Sequence, residues 1–195
     1  SPFPLSLPTS VNLTCLKSGN LLNLPVNLGL AGAFQAGLKY ADKYGYQYAV
    51  QLDGDGQHRP EYLESMIKKM EEGYDIVIGS RFVGEKKPFT MRMLGSNLIE
   101  MAIRFTTGVN IKDPTSGMRM FSKRMIREFA SGLNYGPEPD TVSYLIRQGA
   151  RVAEVPVIMD ERILGVSYLT PVNAMRYMLK MLISILLIQN FRKRR

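Results

Sequence analysis

One cysteine, Cys15, stands in 195 residues. That excludes an intrachain disulfide framework and fits a reducing compartment. No Asp or Glu occurs before Asp42, and the opening SPFPLSLPTS carries three prolines in its first eight residues. With no basic residue ahead of Lys17, this opening does not read as a secretory signal. Long apolar runs are also missing. The best, 181–188, falls well short of the about 20 residues that span a bilayer.

What is present fits one globular domain able to bury a core, with 45% hydrophobic and 22% charged residues. The net charge of +8 is concentrated, because Arg192, Lys193, Arg194 and Arg195 close the chain. The body is only mildly basic. A nucleic-acid partner is therefore not required, and a membrane-surface anchor explains the tail at least as well.

The pattern of elements is alternating. LAGAFQAGLKYADKYG (30–45) predicts a helix closed by glycine, YQYAVQL (46–52) a strand, PEYLESMIKKMEEG (60–73) a helix opened by proline, and YDIVIGS (74–80) a buried strand. This order predicts βαβ connections around a mostly parallel sheet, with ligands at the C-terminal strand ends. Asp53 and Asp55 lie at one such end and Ser80-Arg81 at the next, so the two are expected to be neighbours.

Residues 91–106 predict a helix whose Arg92, Ser96, Glu100 and Arg104 form one polar stripe, either a binding face or a solvated one with a Glu100–Arg104 ion pair. Further along, 113–123 reads as a loop leading into a strand and a helix, 137–150 as a helix and 151–159 as a strand. The last segment places Asn173, Arg176, Lys180 and Ser184 on one narrow face of an otherwise apolar helix. It fits an amphipathic helix lying in a membrane interface, or a core helix or dimer seam.

The stretch QLDGDGQHRP (51–60) holds the candidate chemistry. Two carboxylates at i and i+2 converge on a hard cation if the chain kinks at Gly54, and Mg²⁺ or Mn²⁺ accepts one or two such ligands beside water and phosphate oxygens. Asp-Gly pairs also form plain turns, and that alternative stays open. A calcium loop is excluded, because its sixth position is His58 rather than glycine. His58, the only histidine, is either a ligand or base or a turn residue.

Taken together, LPVNLGLAGAFQAGLKYA, QLDGDGQHRPEYL, IVIGSRF, DPTSGMRMFSK, PEPD and ERILGVS occur in the order and spacing of inverting family 2 glycosyltransferases. From Leu24 onward the chain most resembles the branch of dolichol-phosphate mannose synthases and bacterial polyprenyl-phosphate glycosyltransferases. The resemblance implies a GT-A fold and transfer of a sugar from a nucleotide-sugar to a polyprenyl phosphate. It implies Mg²⁺ or Mn²⁺ held by Asp55, with Gln57 second and Asp53 shared with the nucleotide; Asp53 and Asp55 form the catalytic motif. Arg162, Gly165 and Ser167 are expected on donor phosphates, and Arg81, Arg92 and Ser96 on the acceptor phosphate.

The implied location is the cytoplasmic face of a membrane, with pairing of chains through the last helix left open. Three segments are expected: a divergent opening (1–22), the GT-A domain (23–169) and the interfacial helix with its basic tail (170–195). The first two strands of such enzymes, ending in a Pro-x-x-Asn-Glu type motif and an acidic nucleotide motif, have no counterpart here. The GT-A domain is accordingly expected to be incomplete at its front. A catalytically inactive membrane-associated subunit is the alternative.

Overall fold

The computed structural model describes residues 22–85, 87, 90–132, 136–160 and 171–188. The divergent opening, apart from Leu22, and the basic tail lie outside the described residues.

Helix α1 (Gly29–Lys43) is built from strong helix formers and stops before Gly45, whose φ of +72° turns the chain into β1 (Tyr48–Gln51). A 3₁₀ turn at Pro60–Tyr62 starts α2 (Leu63–Glu71), and β2 (Ile76–Ser80) follows with every residue buried. Helix α3 (Met91–Thr107) begins at Thr90, whose hydroxyl accepts from the Met93 amide at 3.2 Å. Then come β3 (Arg119–Ser122), α4 (Lys123–Ser131), α5 (Pro139–Arg147), β4 (Val152–Pro156) and α6 (Pro171–Ile183). Helix α6 continues as a π-helical turn over Ser184–Ile188.

The sheet order is β1-β3-β2-β4. Strands β1, β2 and β4 share one direction, and β3 runs against them, pairing Gln51 with Arg119 on one side and Ile78 with Arg119 on the other. Strand β3 lies between β1 and β2, so the two motifs stand at the same sheet edge on either side of it. Its opposite direction has a consequence for the site. The C-terminal ends of β1, β2 and β4 and the loop entering β3 all meet at one edge of the sheet.

Alternating side chains divide the core. Ile76, Ile78 and Phe121 face α1, α3, α4, α5 and α6, where Phe34, Phe121 and Phe129 meet edge to face with centroids 5.1–5.4 Å apart. Val77, Met118, Met120 and Val155 face Met66 and Met70 of α2. Each such side chain contributes about 1.5–3 kcal/mol by burial. The sheet edge is thus a rigid platform for the loops it carries.

Candidate active site

The acidic motif leaves β1 in a loop that spans this edge. Asp55 Oδ1 accepts from the Gln57 amide at 3.2 Å, a short-range turn. The Gln57 side-chain amide donates to the Asp160 carbonyl at 3.0 Å, and the Asp160 amide donates to the Gln57 carbonyl at 3.0 Å. Arg59 adds an ion pair with the Asp160 carboxylate. The loop after β1 is therefore tied to the segment after β4.

The Asp53 carboxylate lies against the loop entering β3. A Cβ on Gly117 would lie 2.1 Å from Asp53 Oδ2, so only glycine leaves room for this carboxylate. Four residues earlier on the same loop, Asp113 grips Arg81, with Nε–Oδ2 at 2.7 Å and Nη2–Oδ1 at 2.8 Å. The Asp113 side chain is fully buried, and its bond to Arg81 holds the guanidinium above its ordinary pKa. One loop of five residues, 113–117, thus touches an acid of the motif and an arginine expected to bind phosphate.

His58 joins the two sides. Its Nδ1 accepts from the Asp53 amide at 2.9 Å. Burial pushes its pKa down, Asp53 and Asp55 pull it up, and Arg81 adds to the depression. Both acids and Arg81 therefore act on the same imidazole. A cleft of about 540 Å³ opens beside Arg81, lined also by Tyr62, Ser80, Phe82, Val157 and Met159.

The loop is braced from below. Arg119, fully buried at the start of β3, donates to the carbonyls of Pro114 (2.7 Å), Ser116 (2.9 Å) and Pro137 (2.7 Å). Desolvation lowers its pKa, and the neighbouring Glu138, Asp113 and Asp53 charges oppose that. Glu154 of β4 accepts from the Lys112 and Asp113 amides at 2.7 and 2.8 Å. Its pKa is raised, chiefly by burial.

The α3 stripe divides. Ser96 is buried, with its hydroxyl 3.4 Å from Lys87 Nζ. Glu100 pairs with Lys87 at 2.8 Å and Lys112 at 3.0 Å, so the Glu100–Arg104 pair anticipated for a solvated face is corrected: loop lysines take the carboxylate and Arg104 stays exposed. Arg92 lies in the first turn of α3, and its side chain is outside the described residues. Arg162, Gly165 and Ser167 also lie outside them.

Asp113, Gly117, Arg119, Lys87 and Glu154 were not singled out by sequence reasoning. Asp113, Gly117 and Arg119 stand in the quoted DPTSGMRMFSK segment, so the signal was present without a contact to give it meaning. Lys87 and Glu154 carried no such signal.

Residues 17–130 match the family model for glycosyl transferase family 2. The chain belongs to that family. Its α/β sheet with flanking helices is the GT-A, Rossmann-like arrangement that such membership implies. The chain is 33% identical over 159 residues to a polyprenol monophosphomannose synthase of Mycolicibacterium smegmatis, covering 78% of this chain and 60% of that protein. It is 32% identical over 157 residues to an undecaprenyl-phosphate mannosyltransferase of Micrococcus luteus, covering 77% and 64%. A UDP-N-acetylglucosamine–dolichyl-phosphate N-acetylglucosaminyltransferase of Methanococcus voltae is 29% identical over 139 residues, covering 67% and 55%. The chain spans roughly three fifths of the length of these curated relatives.

Proposed function

We propose that this chain carries the catalytic edge of an inverting glycosyltransferase that moves a sugar from a nucleotide-sugar to a polyprenyl phosphate at a membrane surface. The observation that carries this is the 113–117 loop, against which Asp53 packs and from which Asp113 holds Arg81. It brings Asp53, one acid of the motif, and a guanidinium to one sheet edge, as a reaction between two phosphate-bearing partners requires.

The donor set suits a divalent cation. Among the described residues no cluster of three or more His, Cys, Asp or Glu side chains is built to cage a metal alone. Two carboxylates with an open remainder instead match Mg²⁺ or Mn²⁺ completed by water and diphosphate oxygens. Asp55 and Asp53 would hold it, with Gln57 beside them, and when bound it would neutralise charge on the departing diphosphate.

The protein's own work is positioning. The acceptor phosphate is ionised at neutral pH, so its oxygen attacks the anomeric carbon without a strong general base. The bond from that carbon to the diphosphate oxygen breaks, and its electron pair leaves with the nucleoside diphosphate. Arg81, with Arg92 and Ser96 on α3, would bind the acceptor phosphate, and the guanidinium fork of Arg81 is already oriented by Asp113. Arg162, Gly165 and Ser167 would complete the donor phosphate site.

The membrane supplies the lipid partner. No helix among the described residues is long and apolar enough to cross a bilayer. Helix α6 exposes Met175, Leu179 and Ile183 beside the cations Arg176 and Lys180, which supports interfacial docking on anionic lipid.

Transfer of radiolabelled sugar into an organic-phase lipid by the full-length protein tests the proposal. Activity that needs Mg²⁺ or Mn²⁺ and disappears in Asp55→Ala and Arg92→Ala is expected. Full activity in both variants excludes the site.

A further inference from the structure

Ser96 was expected to meet the acceptor phosphate, yet it is 1% exposed. Its hydroxyl is 3.4 Å from the Lys87 ammonium. Lys87 lines a second cleft, of about 420 Å³, together with Phe82, Glu85, Asn97, Glu100 and Lys112; Ser96 does not line it. Lys87 thus touches both Ser96 and this cleft.

The surroundings of Lys87 are unusual for a surface loop. Its side chain is only 9% exposed, and the Glu100 side chain only 15%. Withdrawing an ammonium from water is costly unless it is paired. Glu100 Oε2 takes Lys87 at 2.8 Å, and Glu100 Oε1 takes Lys112 at 3.0 Å. The Phe82 ring, with its centroid 5.5 Å from Lys87 Nζ, adds a cation–π contact. One carboxylate thus bridges two ammonium groups, and Glu85 is the other acid that lines the cleft. A structural ion pair alone needs a single lysine.

We propose that Lys87, with Lys112 across Glu100, forms a lysine pair that receives the phosphate group of the polyprenyl phosphate acceptor. Each Glu100 oxygen holds one of the two ammonium groups, and the phosphate shares them with the carboxylate. Lys87 follows the β2 end that carries Arg81, and Ser96 and Glu100 lie one helical turn apart on α3. The pair therefore extends the acceptor site along α3. This rests on the acceptor assignment proposed above.

The test measures steady-state transfer by the full-length protein with farnesyl phosphate as a soluble prenyl phosphate, varying donor and acceptor separately. Lys87→Met is expected to raise the acceptor KM by at least roughly tenfold, the worth of one charge-assisted hydrogen bond, with the donor KM unchanged within about twofold. Lys112→Met, at a half-exposed position, is expected to raise it by about threefold, because solvent screens that charge. It decides the matter if Lys87→Met fails to fold. An acceptor KM that moves in neither variant while the wild type transfers sugar overturns the lysine pair alone. A rise in both KM values together, or a loss confined to kcat, also overturns it, since that is how a merely structural role acts. Absence of any transfer by the wild type overturns the acceptor assignment itself and the lysine pair with it.

Discussion

Asp113 and Arg81 form a two-bond ion pair, and the carboxylate is entirely withdrawn from solvent while the guanidinium is partly open to the cleft. Breaking such a pair leaves a charge without its partner in a low-dielectric setting. Asp113→Ala is expected to cost about 2–4 kcal/mol, toward the low side because Arg81 retains some water. Urea unfolding measures it. Arg81→Lys, which keeps the charge and loses the fork, is expected to unfold closer to the wild type but to bind acceptor poorly.

Gly117 gives a cleaner separation of stability from function. Its φ is not in the left-handed region, so alanine has no backbone penalty there. The atoms nearest the added Cβ all belong to the Asp53 carboxylate, the end of a side chain that can swing away. Gly117→Ala is therefore expected to change stability by less than about 1 kcal/mol. Transfer is expected to fall by at least roughly a hundredfold, because Asp53, proposed above to hold the metal, is displaced. Parallel thermal melts and transfer rates check both halves.

Glu154 makes stability depend on pH. Burial raises its pKa above the ordinary 4.5, so the folded chain holds that proton more tightly than the unfolded chain. Stability contributed by Glu154 is accordingly fullest below about 4.5 and declines as pH climbs through the raised value. Glu154→Gln is expected to flatten this slope, at a cost of about 1 kcal/mol for the weakened hold on the Lys112 and Asp113 amides. Urea midpoints of both proteins between pH 4 and 8 test it, and parallel slopes would contradict it.

Vesicle binding tests the α6 face. Exposed Arg176 and Lys180 beside Met175 and Leu179 predict attachment to vesicles rich in anionic lipid. Each cation near such a surface contributes about 1 kcal/mol, so the double change Arg176→Glu and Lys180→Glu should weaken flotation by at least roughly tenfold. Equal binding of both forms, unaffected by salt, would count against the interface.

The sequence reading was strongest where periodicity and turn chemistry act locally. Helix α1, the Pro60 entry to α2, the buried β2 and the α3 stripe were all placed within a few residues of their observed limits. The position of β3 was not legible. Four residues, RMFS, identify a strand but say nothing of which neighbours it separates or in which direction it runs. The same limit hid the partners of Arg81 and Glu100. Asp113 lies 32 residues from Arg81, and Lys112 lies 12 from Glu100, distances over which only the folded sheet edge determines contact.

The most direct test asks whether the acids at the end of β1 hold a divalent cation against a diphosphate. Calorimetric titration of the full-length protein with a nucleoside diphosphate, with and without Mn²⁺, measures it. Binding that requires Mn²⁺ in the wild type and vanishes in Asp55→Ala is the predicted result. Equal binding by both proteins, indifferent to the metal, would contradict the account.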